Sequence, residues 1–223
     1  MCGRFTLTVG PDDLIDEFQL ELFPEDYQPS YNIAPTQQVL TAIHSKDGRR
    51  AGYMKWGLIP FWVKDPQKWK PIINARAETL EEKASFKHLL DRRRSILLAD
   101  SFYEWKVIGG KKTPFRIQRK DGKPFAFAGL WDRNNHTGQN VVTCTIVTTE
   151  ANSLVRDIHE RMPVILENEK AIEAWMNIQE YPFSKAKEFL RPYPSEQMHK
   201  YPVSPFVNSP ENNSVECIKP IIL

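Results

Sequence analysis

The sequence predicts a single α+β domain whose core is a mostly antiparallel, barrel-like sheet with a few peripheral helices. Three observations point there. Short runs rich in β-branched and aromatic residues, broken by Asp-Gly, Gly and Pro punctuation, fill most of the 223 residues. Helical spacing is confined to a few short segments. No internal repeat or linker composition divides the chain, so 1–223 is taken as one domain with a Pro-rich tail from about 192. With 41% hydrophobic residues, including 12 Phe, 7 Tyr and 6 Trp, the chain must pack these side chains, which excludes disorder for its bulk.

The elements are taken in chain order. Residues 11–23 (PDDLIDEFQLELF) predict a helix: Pro and two Asp in the first turn, then Leu14, Phe18 and Leu22 spaced by four. QQVLTAI and AGYMKWGLI predict two strands around a Lys-Asp-Gly turn, and residues 60–71, rich in Pro, Trp and Lys, an irregular surface loop. INARAET (73–79) runs into a helix expected over 80–94. SILLADSFYEWK has a nearly continuous apolar stretch and predicts one strand covered on both faces. TPFRIQ and PFAFAGLW predict a hairpin across the turn at 121–122, and NVVTCTIVTT a further strand. Helices are expected over 168–178, with Asn168 as N-cap and Trp175 inward, and over 184–190; VECIKPI predicts a last short strand.

No apolar run approaches the ~18–20 residues that cross a bilayer, and MCGRFTLTVG lacks the layout of a signal peptide. Three cysteines, at 2, 144 and 217, are too scattered for a disulfide framework or a structural zinc site. These features predict a reduced, cytoplasmic protein with no membrane partner.

The formal charge of +2 hides an asymmetry. Residues 1–50 carry a net −4, residues 51–150 a net +8 and residues 151–223 a net −2. Five tryptophans (56, 62, 69, 105 and 131) share the basic middle. Cations interleaved with flat rings suit a single-stranded nucleic-acid groove, offsetting phosphates and stacking on unpaired bases. Buried tryptophans beneath a solvated lysine face would give the same composition.

Chemistry starts at position 2. Loss of the initiator methionine would leave Cys2 with a primary amine and a thiol on adjacent carbons. An α-amine with a pKa of ~7.7–8.0 is partly neutral and nucleophilic at neutral pH. A 1,2-aminothiol condenses with an aldehyde to an imine, on which the thiol closes a thiazolidine, a reaction closed to an internal cysteine. A buried small hydrophobe near a terminus is the other reading. In INARAET an extended backbone would put Asn74, Arg76 and Glu78 on one face and Ala75 and Ala77 on the other, suiting a cleft wall or an exposed, salt-bridged strand. Glu104, among Phe102, Tyr103 and Trp105, is either a desolvated general acid or a strand-end carboxylate paired to a base. His159, in RDIHERMPV, stands out among five histidines, although a lone His is often structural and the spacing suits no metal.

Seven motifs in order, MCGRF, YNIAPTQ, WGLIPFW, INARAET, SFYEWK, TIVTTEAN and DIHERMPVIL, closely resemble the SRAP family of abasic-site processing proteins, also called SOS response-associated peptidases. The resemblance covers nearly the whole chain. It implies a protein of the DNA damage response that binds single-stranded DNA containing abasic sites and joins itself covalently to the lesion. It implies Cys2 as nucleophile, Asn74 as the residue that orients the lesion, and Glu104 and His159 as stabilisers. Contacts to DNA are implied for Arg4, Asn32, Pro35, Trp62, Arg76, Trp105 and Arg161. The expectation is of a monomer without metal or organic cofactor, cytoplasmic or, in a bacterium, nucleoid-associated, with an AP-lyase side reaction and self-removal of Met1 as further activities.

Three rivals stand beside it. An N-terminal Cys-Gly also opens glutamine amidotransferases of the N-terminal-nucleophile class, but their Asn-Gly oxyanion pair is absent from this sequence. A cysteine peptidase would use Cys2 and His159 as a dyad. A non-catalytic DNA reader would not need Cys2.

Overall fold

Two sheets share the β-rich core of the structure, a computed structural model that describes residues 2–136, 138 and 140–222. In chain order the elements are β1 (Phe5–Leu7), α1 (Pro11–Phe18), β2 (Leu20–Leu22), β3 (Ser30–Ile33), β4 (Gln38–Ser45), β5 (Gly48–Trp56), β6 (Asn74–Arg76), β7 (Arg94–Ala99), β8 (Ser101–Ile108), β9 (Lys111–Arg119), β10 (Phe125–Asn134) and β11 (Val141–Glu150). There follow α2 (Ser153–Arg156), β12 (Arg161–Pro163), β13 (Ile165–Leu166), α3 (Glu169–Met176), α4 (Phe183–Ala186) and β14 (Met198–Pro202).

The larger sheet runs β12-β11-β10-β7-β4-β5-β2, with β13 on β10 and β6 on β11. Parallel pairing of β11 with β5, through Thr143–Lys55 and Cys144–Trp56, closes five of these strands into a ring. The barrel-like, mostly antiparallel α+β expectation matches this architecture. The ring is filled by side chains such as Trp56, Leu97, Phe127 and Ile146, all fully buried. Gly129 is required inside it, because a Cβ there would lie 2.4 Å from Leu97 Cδ1. The smaller sheet, β14-β9-β8-β1-β3, packs against the ring, with the Phe5 ring 5.2 Å from Trp56 and 5.7 Å from Phe127.

The apolar run from 95 to 105 is not one strand. It breaks at Asp100, with β7 in the ring and β8 in the smaller sheet. Asp100 is buried, accepts hydrogen bonds from the Thr8 amide and the Thr6 and Thr8 hydroxyls, and lies 3.7 Å from Arg116. A buried carboxylate needs such partners, and meeting them forces the chain to change sheets. The hairpin expected across 121–122 does not form: β9 pairs with β8 and β14, whereas β10 pairs with β7, β11 and β13. The Asp-Gly turn is there, with Gly122 at φ +73°, but it carries the chain between sheets.

No α-helix forms over 80–94. A 3-10 turn at Ala77–Thr79 leads into successive short turns, such as Phe86 N–H to the Lys83 carbonyl and Leu89 N–H to Phe86. These bury Leu80, Phe86, Leu89 and Leu90 at helical spacing without a continuous ladder. The predicted 11–23 helix ends at Phe18, where Gln19 turns left-handed (φ 51°) and β2 begins. Asn168 caps α3 through the Ala171 amide at 3.0 Å and Trp175 is buried, as the sequence indicates. The 184–190 helix is shorter, α4 followed by a 3-10 turn. The expected terminal strand is a 3-10 turn at Val215–Ile218, and the tail's strand is instead β14.

Candidate functional site

The first residues of the described chain are tied down. Tyr103 N–H donates to the Arg4 carbonyl at 2.9 Å, and β1 pairs with β8 through Phe5–Phe102 and Thr6–Ser101. Continuing that antiparallel register brings Glu104 opposite Gly3, beside Cys2. Cys2 is fully buried, with its Sγ 3.9 Å from the Arg4 carbonyl. Burial, reinforced by the nearby Glu104 charge, pushes the thiol well above its ordinary pKa.

Asn74 reaches the same place from the ring. β6 lies parallel to β11, pairing Asn74 with Ile146 and Arg76 with Thr148. The loop before β6 is anchored by Trp56 Nε1, which donates to the Ile73 carbonyl at 2.9 Å, and by the Leu58–Ile72 bridge. Gly57, at φ +132° and packed on Pro71, begins that loop. Asn74 Nδ2 donates to the Cys2 carbonyl at 2.9 Å. Its Oδ1 is buried with no hydrogen-bond partner among the described residues.

Glu104, only 4% exposed, has its pKa raised by burial, with the opposing pull of His159 placing the imidazole within electrostatic reach. His159 follows α2, its N–H donating to the Val155 carbonyl at 2.9 Å. Its Nδ1 lies 2.9 Å from the Arg161 amide nitrogen and 3.2 Å from the Arg161 carbonyl oxygen, which holds the ring against the start of β12. Contacts and mutual charge effects thus link Cys2, Asn74, Glu104 and His159, drawn from four separate stretches of sequence.

The other sequence-nominated residues divide. Arg76 and Trp62 are exposed, the latter edge-on to Trp69 with centroids 5.3 Å apart. Pro35 is half-buried in the β3–β4 connection, beside Thr36 at φ 73°. Arg161 is engaged, donating to both Glu78 carboxylate oxygens at 2.8 and 2.9 Å and to the Thr148 carbonyl at 2.7 Å. That pairing holds the Glu78 carboxyl below its ordinary pKa.

Arg4 and Trp105 depend on the C-terminal tail. Arg4 Nη1 donates to Asn32 Oδ1 at 2.7 Å and to the Val207 carbonyl at 2.8 Å. Trp105 Nε1 donates to Asn208 Oδ1 at 2.8 Å, and the Arg4 guanidinium lies 5.8 Å from the Trp105 ring. Asn32 is 1% exposed, and its Nδ2 meets the carbonyls of Val207, Ser209 and Asn212 at 3.2, 2.9 and 2.6 Å. A second apolar cluster, Tyr103, Val203, Val207 and Cys217, seats the tail there. Sequence reasoning missed this strap: it has no motif, and only its prolines and scattered apolar residues hint at packing. Of the five tryptophans in the basic middle only Trp56 is buried, so Trp62, Trp69, Trp105 and Trp131 retain accessible surface.

Among the described residues there is no group of three or more potential metal ligands, and no helix is long and apolar enough to cross a membrane.

The profile of the family described as SOS response associated peptidase (SRAP) matches residues 1–210. The chain is 49% identical over 223 residues to abasic site processing protein YoqW of Bacillus subtilis, covering 98% of this chain and 99% of that one. It is 34% identical to abasic site processing protein YedK of Escherichia coli, covering 99% of this chain and 100% of the relative. A crystal structure of a protein from Bacteroides thetaiotaomicron superposes with a TM-score of 0.81 at 26% identity, covering 99% of this chain and 100% of the other. With its motifs, its fold and the full-length similarity in agreement, the chain belongs to the SRAP family.

Proposed function

We propose that the protein captures abasic sites in single-stranded DNA by forming a covalent thiazolidine through Cys2, shielding the lesion. The observation that carries this reading is the Asn74 amide on the Cys2 carbonyl, with the buried Glu104 close enough to perturb the Cys2 thiol.

Removal of Met1 exposes the Cys2 amine. An abasic deoxyribose opens to a C1′ aldehyde, which the neutral amine attacks to form a carbinolamine. Loss of water gives the imine. The Cys2 sulfur then adds to C1′, the C=N π pair takes up a proton, and the thiol gives one up, so ring closure releases nothing further. Glu104, protonated more readily than an ordinary carboxyl because it is buried, supplies the acid that opens the sugar and assists departure of water. His159, within electrostatic reach of Glu104, moves the second proton. Asn74 Oδ1 accepts from the sugar or the new ring nitrogen. Where the thiol is absent the imine acidifies C2′, allowing β-elimination, an AP-lyase side reaction.

Arg76, Arg161 and Arg4 would hold flanking phosphates, and Trp62 and Trp105 would stack on neighbouring bases, with Pro35 shaping the approach. Asn32 acts through Arg4 rather than on DNA, since its polar atoms are already bound. A Cys2–His159 peptidase dyad is disfavoured by the raised thiol pKa, the opposite of the depressed value such a nucleophile needs.

The test is denaturing electrophoresis after mixing the protein with an oligonucleotide carrying one abasic site. Wild type gives a stable shifted band, whereas Cys2→Ala and a chain with a tag retained before Cys2 give none. A thiazolidine-stable band from the tagged chain would overturn the amine route.

A further inference from the structure

A cleft of about 680 Å³, apart from the Cys2 site, opens where β10 ends. Three arginines, Arg92, Arg93 and Arg133, line it together with Phe61 and Trp131. Its one carboxylate, Asp132, is 2% exposed and already occupied: it accepts from the Phe61 and Arg133 amides at 2.8 Å each, and His88 Nε2 lies 3.3 Å away. Arg93 is engaged locally, its guanidinium 4.3 Å from the Trp131 ring and its Nε 3.9 Å from Asp132. Arg92 and Arg133 are exposed, and neither side chain has an ion-pair partner among the described residues. Phe61 is 51% exposed although its backbone is fixed, with its ring edge-on to His88. Two such cations beside an accessible, immobilised ring match a phosphodiester with an unpaired base.

The loop that contributes Phe61 to the cleft also leads to Asn74. Phe61 adjoins Trp62, which contacts Trp69, and the same loop runs into Asn74. The loop is pinned over β10 by Asn134 Nδ2, which donates to the Pro60 and Val63 carbonyls at 2.9 and 2.8 Å. Asp132 pairs with Thr143 on β11 and Arg76 with Thr148, a separation of roughly 17 Å along the strand at ~3.3 Å per residue.

We propose that this cleft is a second nucleic-acid site, holding a flanking stretch of the same single strand with phosphates on Arg92 and Arg133 and a base against Phe61. This rests on the reading that the chain binds single-stranded DNA, and not on the crosslink. The motif WGLIPFW contributes both Phe61 and Trp62, so one segment would serve both regions.

The test is equilibrium binding of an undamaged oligothymidylate of about 20 nucleotides, longer than the ~4–16 that one such groove occupies, across a salt series. The variants are Arg92→Ala/Arg133→Ala and, as a charge-matched control beside the other end of β10, Lys120→Ala/Lys123→Ala. The arginine pair should weaken binding by about 10-fold at low salt and lower the log–log salt slope by about 1.4, ~0.7 for each phosphate no longer neutralised, while the lysine pair changes the slope by far less. An arginine variant indistinguishable from the lysine control overturns the second site alone. Failure of the wild type to bind the oligonucleotide would instead overturn the single-strand reading beneath it. Saturable binding of thymidine monophosphate that the arginine pair abolishes would make the cleft a free-nucleotide site and overturn the strand as its ligand.

Discussion

The side-chain amide of Asn74 donates to the main-chain carbonyl of Cys2 at 2.9 Å, joining the start of the chain to a short strand 72 residues further on. This hydrogen bond fixes the direction in which Cys2 leaves β1, while Asn74 Oδ1 keeps its acceptor capacity. Asn74→Ala should lose about 1 kcal/mol of stability, one hydrogen bond's worth, and yet slow adduct formation by more than ~10-fold. Rates from quenched time courses beside thermal unfolding check it; a rate loss no larger than the stability loss implies would remove Asn74 from lesion handling.

Glu104 links burial to pH. Its folded pKa is raised by burial, so the native state keeps a proton that the unfolded chain releases. The resulting stability is present below about pH 4.3, the ordinary Glu value, and is lost as pH rises through the higher folded value. Glu104→Gln cannot lose that proton. Its unfolding temperature relative to wild type should therefore rise between about pH 4.5 and pH 7.5. The same variant should crosslink more slowly at neutral pH. A pH-independent stability difference together with an unchanged rate would contradict both roles.

Much of the fold was legible, and the failures have physical causes. β11 was evident from the β-branched run 141–150, and α3 from Asn168 and the inward Trp175. The break at Asp100 was hidden because apolar residues continue on both sides of it, and one buried carboxylate among them does not reveal a change of sheet. The 80–94 helix was suggested by apolar spacing that is real, but the burial of Leu80 and Leu89 is achieved by stacked turns. In the site, Cys2, Asn74, Glu104 and His159 were identifiable through ordered motifs. The tail's hold on Arg4 and Trp105 was not, because Val207 contributes a backbone carbonyl and any residue there could do the same.

That strap can be tested at two residues with different signatures. Asn32→Ala removes the partner of three tail carbonyls and of Arg4, and should cost roughly 2–4 kcal/mol through buried groups left unpaired. Asn208→Ala, at an exposed residue, should change stability by less than about 1 kcal/mol while weakening DNA binding several-fold, by freeing the Trp105 ring. Chemical denaturation and binding titrations separate the two, and equal effects on stability would contradict the assignment.

Glu78 holds the Arg161 guanidinium that the proposed function assigns to a phosphate. Removing its charge by Glu78→Gln should release the guanidinium for a phosphate, tighten noncovalent binding to single-stranded DNA and steepen its salt dependence by up to ~0.7 in log–log slope. Arg76→Ala should act in the opposite sense by a similar amount, since Arg76 is exposed. Salt titrations of both variants decide; parallel, unshifted slopes would mean that neither arginine meets a phosphate.

The proposed capture of the lesion depends most on the amino-terminal nitrogen and sulfur of one residue acting together. Intact-mass measurement of the protein after mixing with an oligonucleotide bearing a single abasic site, followed by peptide mapping, tests this most directly. The expected species is the chain lacking Met1, heavier by one oligonucleotide less one water, with the DNA on the peptide that begins at Cys2. An adduct that maps to a lysine, or one that forms equally on chains retaining Met1, would contradict it.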